Sequence, residues 1–212
     1  MLCLALALAA SPDVLDVDPV NGPFFEIRTA VGAATSGDVI RAAPGNYGFF
    51  GVFDKSLRVV PRDEVGSVNV FGTVRVQSIA AGGEVFLQGL TILVQSDFES
   101  AVVVAGCDGA VRFEDCAATS VEWIGASIDD SEDVTFVAST LRGGCGPTFF
   151  AAECSAHPGL DVEASSVTLW NSTIRGGWPT QWGAWGPPGV DAEASDVFVH
   201  GGRVEGGPGG PA

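Results

Sequence analysis

The chain has 212 residues and a formal charge of -16 at pH 7. Ten Lys and Arg stand against 26 Asp and Glu, which excludes a face basic enough to hold nucleic-acid phosphates. A hydrophobic fraction of 46% with 29 glycines and few long helix formers predicts one domain of many short strands joined by turns.

Met1–Ala10, MLCLALALAA, is a short apolar run ending in small residues. It has the form of a secretory signal with Ala7-Leu8-Ala9 as cleavage site, although no Lys or Arg precedes it. The expectation is export, with residues 11–212 as the working domain and a secreted or cell-surface location. The run is too short to span a bilayer, and no later stretch is long and apolar enough. Ser11–Gly22 is a polar lead. Phe24, Ile27, Val31 and Ala34 then fall at helical spacing, which predicts one short amphipathic helix. Gly37-Asp38 ends it, Val39-Ile40 begins a strand, and Pro44–Tyr47 turns that strand. A helix placed here covers the open end of a stack and hides its unpaired backbone groups.

Downstream, one pattern returns. Asp133–Gly144, DVTFVASTLRGG, recurs as Ser166–Gly177, SVTLWNSTIRGG, and as Asp196–Gly207, DVFVHGGRVEGG. A unit repeated about every 30 residues marks a solenoid, in which each copy buries its apolar side against the next. Val39, Leu57, Val85, Val111, Val134, Val167 and Val197 open successive β-rich runs. In the Val134 run, Val134 and Phe136 alternate with outward residues, and the phase slips at Ala138 so that Ser139 and Leu141 face inward. Such a slip is a corner. Leu90, Cys116, Ser139, Ser172 and Gly202 are expected to share one inward corner position. A second match, Gly159–Ser166 with Gly189–Asp196, places Leu160, Val162 and Ala164 inward and Asp161 and Glu163 outward.

The segment Ile27, Ala30, Ala34, then Gly37, Asp38 and Ile40, then Pro44, Gly45 and Tyr47 resembles the N-terminal cap and first coil of the pectate lyase-like family. The resemblance covers nearly the whole chain after the leader. It implies an all-β, right-handed parallel β-helix of about seven coils with a short capping helix. It is nearly silent on activity, since this fold carries lyases, hydrolases, adhesins and proteins of other roles.

Candidate chemistry is sparse. Asp161 aligns with Asp191 and Glu163 with Glu193, which predicts outward acidic pairs. Like charges at that distance repel, and calcium, which takes several oxygens, is the candidate bridge. A solvated acidic face is the competing expectation. Pectate lyases resemble this in holding calcium by carboxylates, but they also use an Arg as base, and Arg142 and Arg175 align on a different strand. Asp129-Asp130 is the adjacent Asp pair of polygalacturonase-like hydrolases, but the accompanying Gly-His-Gly and Arg-x-Lys segments are missing. Asp129, Asp130, Glu132 and Asp133 are therefore taken as a turn.

Trp170 lies outward on a strand, and Trp178, Trp182 and Trp185 crowd one insert. Exposed indoles suit sugar rings, although burial of these side chains against one another is the competing expectation. With Cys3 in the leader, Cys107, Cys116, Cys145 and Cys154 form two pairs of the same C-x8-C spacing, compatible with two disulfides. Cys107 and Cys116 also suit burial as small hydrophobes. The expected function is an exported, non-enzymatic β-helix presenting a surface for glycans or proteins. The alternative is a polysaccharide lyase or glycoside hydrolase, or a fragment of one. No apolar helix follows the last repeat, so end-to-end self-association is a third expectation.

Overall fold

The parallel β-helix that the repeats predict is the architecture of the computed structural model, which describes residues 11–95, 99–144, 156–178 and 186–207. The chain begins with β1 (Val14–Val17), α1 (Ile27–Ala33), β2 (Val39–Ala42), β3 (Gly45–Phe53), β4 (Leu57–Pro61), β5 (Val68–Gln77), β6 (Glu84–Gln88) and β7 (Leu90–Val94). It continues through β8 (Val102–Glu114), β9 (Ala117–Ser120), β10 (Ala126–Val137) and β11 (Thr140–Arg142). The last elements are β12 (Leu160–Glu163), β13 (Ser166–Arg175), β14 (Val190–Glu193) and β15 (Asp196–Glu205). Every pairing between these strands is parallel. Among the described residues, no helix is long and apolar enough to cross a membrane.

Three faces wrap one core, because strands about 4.8 Å apart set like residues above one another. On the first face the inward column runs Leu15, Ile40, Val59, Leu87, Phe113, Phe136, Leu169, Val199. The second face stacks Tyr47, Val70, Ile92, Ala118, Leu141, Ile174 and Val204. The third stacks Val52, Val76, Val104, Ile128, Val162 and Ala192. The Phe113 and Phe136 rings lie parallel, with centroids 4.9 Å apart. In the last coil the columns open to solvent, with Val199 48% and Val204 44% exposed.

Two corners repeat a left-handed residue. Between the third and first faces, Asp54, Ser78, Gly106, Asp130, Ala164 and Ala194 all have positive φ. Between the first and second, Gly89, Asp115, Ala138, Asn171 and Gly201 do. Each left-handed residue swings the chain outward and re-phases the alternation, so the next residue points in. Ala164 therefore faces solvent, and Ser165 takes the inward place that the alternating pattern gives to Ala164.

The inward corner residues form two hydroxyl ladders. At one corner the amides of Cys107, Ser131 and Ser165 donate to the Oγ atoms of Ser131, Ser165 and Ser195 at 3.3, 3.0 and 3.0 Å. At the other, the amides of Cys116 and Ser139 donate to Ser139 and Ser172 Oγ at 3.2 and 3.1 Å. Each serine hydroxyl then donates to the carbonyl two residues back in its own chain. A buried backbone amide thus finds an acceptor where the chain bends away from the strand ladder.

Cys107 and Cys116 are buried free thiols, which overturns the disulfide expected between them. They stand at opposite corners of the first face, with a strand run of roughly 16 Å between them, against a reach of about 7 Å for a disulfide. Each thiol takes a serine's place in its ladder, Cys116 Sγ donating to Glu114 O at 3.3 Å. Cys145 and Cys154 lie outside the described residues.

The N-terminal end is covered as expected. α1 buries Ile27, Ala30 and Val31. Lys55 Nζ donates to Val31 O and Ala34 O at 3.1 and 2.9 Å, satisfying the helix's last carbonyls. The polar lead, however, contains β1, which pairs in register with β2 and adds a rung before the helix. Val39 also stands one residue out of the expected column, opposite Arg58 rather than Leu57.

Candidate functional site

The inserts leave the solenoid at its third edge, where the second face ends and the third begins. The second-face strands end there in Arg142-Gly143-Gly144, Arg175-Gly176-Gly177 and Glu205-Gly206-Gly207. All of these glycines but Gly206 have no room for a side chain. A Cβ on Gly177 would lie 2.5 Å from Gly144 O, and one on Gly144 would collide with Val121 O. Close approach lets the exiting backbone bond its neighbours: Gly144 N–H donates to Trp123 O at 2.8 Å, and Gly177 N–H to His157 O at 2.9 Å. The Trp123 and His157 rings meet with centroids 4.0 Å apart, and burial pushes the His157 pKa down, which favours the neutral ring.

The glycine pair delivers Trp178 to the surface, 63% exposed. Its indole borders a hollow of about 240 Å³ lined by Thr119, Ser120, Val121, Arg142, Gly143 and Gly144. Arg142 sits in register between Thr119 and Arg175. Arg175 pairs with Glu205 at 2.7 Å, and Arg203 pairs with the same carboxylate. Among the described residues, Arg142 has no ion-pair partner. The structure thus joins Trp178 to Arg142, which the sequence does not link; the only signal was the repeated Arg-Gly-Gly.

Trp170 projects outward from β13 as expected and is 45% exposed. Its column on the first face runs Val137, Trp170, His200, and the His200 ring stacks on it at 4.1 Å and 15°. That contact covers one indole face, so Trp170 is a partly engaged platform. Trp182 and Trp185 lie outside the described residues. On the same face Phe86 is only 7% exposed, clamped between the guanidinium groups of Arg58 at 4.6 Å and Arg112 at 5.9 Å.

The acidic pairs form in the expected register, Asp161 beside Asp191 and Glu163 beside Glu193. Asp129 precedes Glu163 in the same column. Burial, then Asp191 and Glu163, push the Asp161 carboxyl up. Among the described residues no three His, Cys, Asp or Glu side chains gather to hold a metal. A pair of carboxylates falls short of the six to eight oxygens calcium takes. Asp129, Asp130, Glu132 and Asp133 lie within β10 rather than in a separate turn: the strand bends at the left-handed Asp130, and Asp129 and Asp133 stay in the ladder on either side of it.

No family model and no curated protein matches the chain. Among solved structures it is similar to the pectin methylesterase of Aspergillus niger in deglycosylated form, at 12% identity and TM-score 0.38, covering 95% of this chain and 87% of that one. It is also similar to pectate lyase Pel9A, at 14% identity and TM-score 0.33, covering 82% and 66%. At these scores the likeness carries no argument about chemistry, and the fold rests on the strand register above.

Proposed function

We propose that this parallel β-helix is a non-enzymatic, extracytoplasmic protein that binds glycans at the hollow between Arg142 and Trp178. One observation carries the reading: an indole 63% exposed borders a cavity that also holds a guanidinium with no ion pair among the described residues. An indole offers a flat apolar face to the C–H groups of a sugar ring. A guanidinium presents five donors in a fixed fork, suited to ring hydroxyls or an acidic substituent. The cavity, about 240 Å³, is below the roughly 300 Å³ at which drug-sized sites begin, so it suits a single ring with the rest of the chain outside. The apolar leader Met1–Ala10 supports placement outside the cytoplasm, where such polymers are met.

A glycan array with the wild type, Trp178→Ala and Arg142→Gln tests the reading. The wild type should retain a defined subset of glycans, and both variants should lose it by about tenfold or more. A wild type that retains nothing, or a Trp178→Ala variant that binds as well as the wild type, rejects the proposal.

A further inference from the structure

The third face changes character along the solenoid axis. One outward column reads Gly51, Arg75, Val103, Ser127, Asp161, Asp191 in six successive rungs. Arg75 is exposed and, among the described residues, forms no ion pair, although Glu99 lines the cleft beside it. Three rungs on, Asp161 and Asp191 stand side by side with no described cation paired to them. Val103 and Ser127 lie between, uncharged and half-buried.

Within this column the order is self-complementary, beside a second outward column that carries Asp129, Glu163 and Glu193. A two-fold axis in the plane of the face, running along the strands between Val103 and Ser127, exchanges the Arg75 rung with the Asp161 rung. It sets Arg75 of one copy opposite Asp161 of a second and repeats the contact in reverse, as an isologous interface requires. We propose that two copies of this chain pair side by side through the third face, with antiparallel axes, joined by reciprocal Arg75–Asp161 ion pairs across the Val103–Ser127 floor. The same operation places Gln77, in the Arg75 rung, near Glu163, a donor against an acceptor. Each pair sets an exposed guanidinium against a carboxylate crowded by its like neighbour.

The face is small. Six rungs by one four-residue strand cover about 400 Å² per copy, against roughly 800 Å² in a standard interface. The pairing is therefore weak and forms at high protein concentration. It does not use Arg142 or Trp178, so it stands apart from the glycan reading.

Sedimentation velocity over a concentration series tests it. The wild type should shift from monomer toward dimer and stop there. Arg75→Glu and Asp161→Arg each bring like charges together and should weaken the dimer by about tenfold or more. The double variant carrying both reversals should recover it. Circular dichroism checks that each variant folds, and the milder Arg75→Gln and Asp161→Asn replace any that does not, with weakening still expected. A wild type that stays monomeric at the highest attainable concentration overturns the proposal. So does a folded double variant no better than the singles, or growth past the dimer, which would point to end-to-end stacking through Val199 and Val204.

Discussion

The amide of Ser139 donates to Ser172 Oγ at 3.1 Å, from one coil to the next, and that hydroxyl donates on to Trp170 O at 3.0 Å. Both serines are 1% exposed. Ser172→Ala should destabilise the fold by about 1–3 kcal/mol in urea unfolding, because a buried amide loses its only acceptor beyond water's reach. Ser172→Cys should cost less, since Cys107 and Cys116 already occupy equivalent places. Thr168→Ala, outside the ladder, should stay within about 0.5 kcal/mol of the wild type.

Glycine and alanine exchanges should split by position. Gly177→Ala should lose about 2–3 kcal/mol, since the new Cβ meets Gly144 O at 2.5 Å and backbone must move. Gly32→Ala should gain about 0.5–1 kcal/mol, because it lies inside α1 with nothing within 4 Å of a Cβ. Ala164→Gly should gain about 0.5 kcal/mol. Its φ of 46° costs an alanine about 1–2 kcal/mol, more than the chain entropy a glycine adds. Thermal midpoints of the three variants check the split.

Acid should destabilise the N-terminal end first. The Val20 and Asn21 amides, then Arg62, hold the Asp18 carboxyl below its usual range. The Thr35 and Asp13 amides do the same for Asp38. Groups whose pKa is depressed by folding contribute stability above the unfolded value, and that contribution is lost as pH falls through the folded one. The thermal midpoint should fall below about pH 4, and less steeply in Asp18→Asn and Asp38→Asn. Asp161 has the opposite sign: its raised pKa means the carboxylate is disfavoured in the fold. Asp161→Asn should raise the midpoint at neutral pH, and the gain should vanish in acid.

The ladder thiols should be inert while the chain is folded. Burial pushes the Cys116 thiol up to about 12, and Cys107 is 0% exposed. A chromogenic disulfide reagent should leave both unmodified in the native protein and label both in denaturant. Labelling of Cys116 at the rate of an exposed thiol under native conditions would contradict the packing described for it.

The repeat units were legible because like residues stack on like. Val134, Val167 and Val197 do share a column, as do Cys116, Ser139, Ser172 and Gly202. β1 was hidden because its strand, VLDV, is flanked by Asp and Pro and carries Asp16 on its outer side, so it looks like a polar lead. The hydroxyl ladder through Ser131, Ser165 and Ser195 was hidden because the left-handed residues before it include Ala164 and Ala194, and alanine gives no signal for positive φ. The Trp178 hollow needed three separate segments, and only the register brings Thr119 beside Arg142.

Each ladder hydroxyl accepts from the amide of the coil before it, so the rungs point one way along the axis and the molecule has a mechanical direction. Gripped at both ends and stretched, it should yield first at β14 and β15, whose apolar columns already meet water. Extension would then grow in discrete lengths of chain, one turn released at a time, while the α1 end stays clamped. Filament-like cohesion of this kind resists shear across the axis far better than peeling from one terminus.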